Sequence, residues 1–202
     1  MMLAIFPLPI VLLPGGITRL NIFEPRYMRL VTESYRDGGF ALLPYKQSTS
    51  DTALATAQHS IASWVEIVDF STSAEGLLSI DIKAKRLIEI TSVESAADGL
   101  LRADYQELQH WPDKNELTKT EQNNKENKKL MSVLNAIFEE HQSLAALYPH
   151  ANGQDLRWVC ARFIELLPLD MKHKINFMAP ESFDQCLAFL HTTINGHNNA
   201  PA

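Results

Sequence analysis

"FPLPIVLLPGGITRLNIFEPRYMRLV", residues 6–31, is the stretch whose reading decides the fold. Leu3–Phe6 and Ile10–Leu13 are short apolar runs bounded by prolines, and both are predicted as strands. Pro14-Gly15-Gly16 marks a turn, and Ile17–Phe23 continues as a further strand. Pro25 then supplies a φ already suited to the first turn of a helix. Met28, Val31 and Tyr35 follow at helical spacing, and Gly38-Gly39 ends the helix. The strand–helix junction holds the densest group of candidate binding residues: Phe23, Glu24, Arg26 and Tyr27. Its architectural reading is a corner. Glu24 favours a helix N-terminus, Phe23 and Tyr27 pack as a hydrophobic staple, and Arg26 pairs with a carboxylate across the barrel.

Downstream, Phe40–Tyr45, Ile61–Phe70, Leu77–Ile90 and Leu100–Leu108 read as strands, with the polar stretch Lys46–Gln58 as a loop. Leu78, Ile80 and Ile82 alternate with Ser79, Asp81 and Lys83, the period of a half-buried strand. Ala84-Lys85-Arg86 breaks that period, which predicts a bulge or bend. Glu66, Asp69, Asp81 and Glu89 are expected on the outward face of the sheet. Composition changes at Trp111-Pro112, and the pattern turns helical after a charged, amide-rich stretch. One apolar stripe runs through Leu130, Val133, Leu134, Ile137, Phe138 and Leu144; another runs through Leu156, Val159, Cys160, Phe163, Ile164 and Leu167. Pro168 stops the second, and shorter helices are expected over Met171–Met178 and Phe183–Ile194. The expected class is α+β: a β-barrel-like domain over residues 1–112, a polar linker over 113–129, a helical subdomain over 130–194 and a tail over 195–202.

With 202 residues, 46% of them hydrophobic and 21% charged, the chain is long enough to bury a real core. Its net charge of −6 argues against a broad nucleic-acid or anionic-membrane surface. Cys160 and Cys186 lie in apolar helical stretches and read as buried reduced thiols. The uncharged opening is interrupted by Pro7, Pro9 and Pro14 and has no basic flank, so a cytoplasmic protein without a leader or membrane span is expected.

The quoted opening resembles the N-terminal, substrate-binding domain of Lon proteases, in which a Phe-Pro-Leu strand, a Pro-Gly turn and a second strand lead into Phe-Glu-Pro-Arg-Tyr. "WVEIVDF" (Trp64–Phe70), "IKAKRLIEI" (Ile82–Ile90) and "RFIELLPLDMKHKINFM" (Arg162–Met178) are similar to later segments of that domain. The resemblance implies a PUA-like pseudo-barrel followed by a helical bundle, in a stand-alone relative that recognises polypeptides rather than cutting them. Two family glycines are replaced, near Ser63 and at Ala84.

The chemistry of a whole Lon protease is missing from the sequence. None of the eight glycines opens a G-x-x-x-x-G-K-[ST] loop, so no phosphate cradle is expected. Nor does the chain reach a Ser-Lys proteolytic domain of the kind the resemblance would require for cleavage. The seven histidines lack H-x-x-x-H and H-E-x-x-H spacing and read as scattered surface residues. Cys160 sits in its helix's apolar stripe, where a thiol is inert, and Glu139-Glu140 reads as a solvated face. No cofactor, metal or catalytic residue is expected.

The leading expectation is a non-enzymatic module that binds unfolded or extended polypeptides, working with a protease or a chaperone. RNA binding, as in other PUA-like proteins, is the alternative, with Lys83, Lys85 and Arg86 as its only basic cluster. A hydrolase with an unrecognised site is a minor third.

Overall fold

The computed structural model describes residues 2–45, 57–74, 76–111, 124–149, 151, 153 and 155–196. Most of the expected Lys46–Gln58 loop, most of the polar linker and nearly all of the tail lie outside these residues. The chain divides into two compact units, Met1–Gln109 and His110–Ala202.

The first unit contains β1 (Leu3–Leu8), β2 (Ile17–Ile22), α1 (Pro25–Asp37), β3 (Phe40–Pro44), β4 (Ile61–Thr72), β5 (Leu78–Ser95) and β6 (Leu101–Leu108). The strands form one sheet in the order β2-β5-β4-β3-β1-β6, and an additional β5–β6 pairing closes five of them into a pseudo-barrel. β1 and β3 are parallel; the other pairs are antiparallel.

β1 and β3 are buried on both faces. Ala4, Phe6, Phe40 and Leu42 enter one core with Leu30 and Val31 of α1, while Leu3, Ile5, Ala41 and Leu43 enter a second with Ile88 and Ile90. This explains why both strands read as unbroken apolar runs. Ile10–Leu13 is not a strand, contrary to expectation. Val11, Leu12 and Leu13 are buried but the segment joins no ladder, because Pro9 and Pro14 on either side have no N–H to give one. The buried Ser63 hydroxyl donates to the Leu12 carbonyl instead and anchors this segment.

The break at Ala84-Lys85-Arg86 is a bulge: Trp64 pairs with Arg86 and Val65 with Ala84, which leaves Lys85 extra. Ala84 is buried and exchanges backbone hydrogen bonds with the Pro14-Gly15-Gly16 turn, Gly15 N–H to Ala84 at 2.8 Å and Ala84 N–H to Gly16 at 2.9 Å. Asp81 departs from its expected outward place. It is buried, and Arg19 of β2 grips it with two bonds of 2.6 and 2.8 Å, which raises the Arg19 pKa further.

The second unit is helical: α2 (Lys125–Glu140), α3 (Gln142–Ala145), α4 (Leu156–Leu166), α5 (Met171–Asn176) and α6 (Phe183–Gly196). α2, α4 and α6 pack on one another. Asn124, Asp155 and Asp170 cap α2, α4 and α5 with side-chain oxygens on first-turn N–H groups. Phe138, Tyr148 and Trp158 form an aromatic cluster, and Arg162, 1% exposed, lies over two of its rings while pairing with Glu165 at 2.7 Å. Cys160 and Cys186 are free and buried; their mutual hydrogen bond and burial push the Cys160 thiol well above its usual range. His110 and His191 are packed rather than superficial. His110 stacks on Trp111 and meets the Phe177 carbonyl at 3.3 Å, and His191 meets Asn127 at 2.8 Å.

Candidate functional site

The corner of residues 23–27 divides between core and surface. Pro25 opens α1 as expected, and Gly38 closes it in the left-handed region at φ 76°. Tyr27 turns inward and stacks on Phe6 with ring centroids 4.1 Å apart; burial raises its hydroxyl pKa. Phe23 points away and is 70% exposed, so the two aromatics do not form a staple. Arg26 pairs with its neighbour Glu24 at 2.8 Å rather than with a carboxylate across the barrel, donates to the Gly99 carbonyl at 3.4 Å, and holds its guanidinium 4.8 Å from the centre of the Tyr27 ring. The ionic ties to the same region come from α1's next turns, where Arg29 reaches Asp98 at 2.8 Å and Glu33 accepts from Arg102.

A second feature lies one turn further along. α1 buries Tyr27, Leu30, Val31 and Ser34, which leaves Met28 and Tyr35 outside; Tyr35 is 94% exposed. β3 pairs with β4 only as far as Phe40 opposite Val65. Beyond that point β4 pairs with β5 alone among the described residues, so its other edge from Glu66 to Thr72 is open. The Phe70 N–H belongs to this edge: it donates to the Asp69 carboxylate at 2.8 Å instead of entering the ladder.

Between α1 and this edge lies a cleft of about 200 Å³. Val31, Ser34 and Tyr35 line it from the helix, Gly38 and Gly39 from the cap, and Glu66, Ile67 and Phe70 from β4. Phe70 is 58% exposed. Trp64 fixes the floor, its indole N–H donating to the Gly38 carbonyl at 3.1 Å. A large aromatic lip beside unpaired backbone is suited to an extended chain.

Two of the three residues in the basic cluster that RNA binding would use, Lys85 and Arg86, are engaged elsewhere. Lys85 pairs with Glu66 at 2.9 Å, and Arg86 pairs with Glu107 while stacking on Trp64 at 4.4 Å.

Residues 2–194 match the family described as the ATP-dependent protease La (LON) substrate-binding domain. The chain belongs to that family. Two solved structures similar to this LON substrate-binding domain show the same fold. A Lon N-terminal domain protein from Xanthomonas campestris is 24% identical with a TM-score of 0.65, covering 94% of this chain and 98% of its own. The N-terminal domain of a Mycobacterium avium complex Lon protease is 12% identical with a TM-score of 0.62, and all of both chains is covered. No curated protein matches the sequence. No helix among the described residues is long and apolar enough to cross a membrane, and they contain no cluster of side chains arranged to hold a metal.

Sequence reasoning named the corner and missed the cleft beside it. One signal was available. In Trp64–Phe70 both strand parities carry large apolar residues (Trp64, Val68 and Phe70 on one, Val65 and Ile67 on the other), more than a half-buried strand needs.

Proposed function

We infer that this LON substrate-binding domain is a non-catalytic module that engages unfolded or extended polypeptides and passes them to a protease or chaperone. The observation that carries the reading is the apolar cleft between α1 and β4, rimmed by the exposed rings of Tyr35 and Phe70. An aromatic rim gives large contact area at low entropic cost, and the one carboxylate that lines the cleft, Glu66, is held by Lys85 at 2.9 Å. Phe23, exposed at the start of the same helix, remains a contact candidate with Glu24 and Arg26, while Tyr27 supports them from the core. The net charge of −6 and the paired state of Lys85 and Arg86 favour polypeptide over RNA.

The test is binding of permanently unfolded, reduced and carboxymethylated lactalbumin, compared with the native protein, by fluorescence anisotropy. Saturable binding of the unfolded form alone is expected. Equal or absent binding of both forms sinks the reading.

A further inference from the structure

The cleft and the open edge adjoin, and together they specify how a ligand would lie. We propose that a polypeptide segment docks on the β4 edge from Glu66 to Thr72 as an added strand. It sets an apolar side chain into the cleft between Tyr35 and Phe70 and a lysine or arginine beside Asp69. This rests on the polypeptide-binding reading and names the site and the chemistry of its occupant.

Three observations converge on it. The edge presents about 20 Å of backbone, at roughly 3.3 Å a residue, with no strand beside it among the described residues. Its Phe70 N–H is held only by the adjacent Asp69 carboxylate, a contact that an incoming carbonyl can replace. The cleft is apolar and lies next to that amide, which matches the alternation of an added strand: one side chain inward, the next outward.

Charge selects the occupant. Cross-strand from Asp69 sits Asp81, and Arg19 is committed to Asp81 by its two-bond grip. The exposed Asp69 carboxylate lies within the field of Arg19 but makes no direct ion pair among the described residues, so a cationic side chain completes it. The same charge opposes a second copy of this chain, since antiparallel edges would bring like carboxylates together.

The probe is a fluorescein-labelled nonapeptide of alternating valine and lysine, titrated into the full chain. Saturable binding is expected. Tyr35→Ala and Phe70→Ala, both at exposed positions, should each weaken it by about tenfold with unchanged melting temperature. Asp69→Asn should weaken it and flatten its salt dependence. N-methylating the valines or the lysines removes alternate backbone donors. One of the two series should abolish binding and the other leave it intact.

If the peptide binds but both N-methyl series bind equally, or the variants change nothing, the edge is not the site; polypeptide binding then stands and this placement falls. Unfolded lactalbumin binding without peptide binding also overturns the proposal, and failure of both ligands removes the underlying function. Concentration-dependent dimers abolished by Phe70→Ala would make a second copy the occupant and overturn the polypeptide assignment.

Discussion

At Gly39 the chain leaving α1 passes so close to β4 that no side chain fits. A Cβ there would stand 2.2 Å from the Val65 carbonyl oxygen and 2.6 Å from the Trp64 indole nitrogen, and the backbone has φ +136°. Gly38 also has positive φ, but open space surrounds it. Gly39→Ala should therefore destabilise the first unit by about 3 kcal/mol, and Gly38→Ala by only about 1 kcal/mol, as read by urea denaturation. Ser63 offers a second contrast. Its hydroxyl is the side-chain donor on the buried Leu12 carbonyl, and Ser63→Ala should lower stability by about 1–2 kcal/mol in the same measurement. Phe23→Ala, at a 70% exposed position, should leave the melting temperature unchanged.

Among the elements, strands and helices were legible wherever burial imposes a period. β5 was read from its alternation, the bulge at Lys85 from its interruption, and α4 from its stripe and Pro168. Ile10–Leu13 was misread because an apolar run records burial, while a strand also needs a partner with free N–H groups. The helical spacing of α1 was read through Met28, Val31 and Tyr35, of which Val31 alone lies on the buried face with Tyr27, Leu30 and Ser34. The cleft was not legible for a related reason. Its existence depends on β3 ceasing to pair at Phe40, so that β4 outruns its neighbour. No local pattern in β4 says where another strand ends. The site therefore emerges from a mismatch in length between elements, and the corner at residues 23–27 marks the family without containing that mismatch.

At the scale of the whole molecule, the first unit has two apolar cores of its own. We expect a fragment of residues 1–109 to unfold cooperatively by itself, with a β-type circular dichroism spectrum; a non-cooperative transition would refute its independence. The second unit carries a pH dependence. Burial against Trp111 lowers the His110 pKa from 6.5 to about 4, although the Phe177 carbonyl partly opposes this. Above pH 6.5 the imidazole is neutral in folded and unfolded chains alike, and it imposes no penalty. Between about 6.5 and about 4 the unfolded chain takes up a proton that the folded chain refuses, so stability falls as pH falls, by roughly 3 kcal/mol in all. His110→Gln should flatten the pH profile of melting across this window.

The arrangement of β1 also has a consequence in time. Leu3–Leu8 precedes β3 and β6 along the chain, yet it lies between them, with Leu3 opposite Ala103 and Ala4 opposite Arg102. At roughly 5–20 residues per second, about 5–20 s of translation separate the strand from its second neighbour. Throughout that interval the nascent chain displays an apolar strand with one side unmatched. Until then the strand is an exposed extended segment, and ribosome-associated chaperones should engage it until residue 108 has left the exit tunnel.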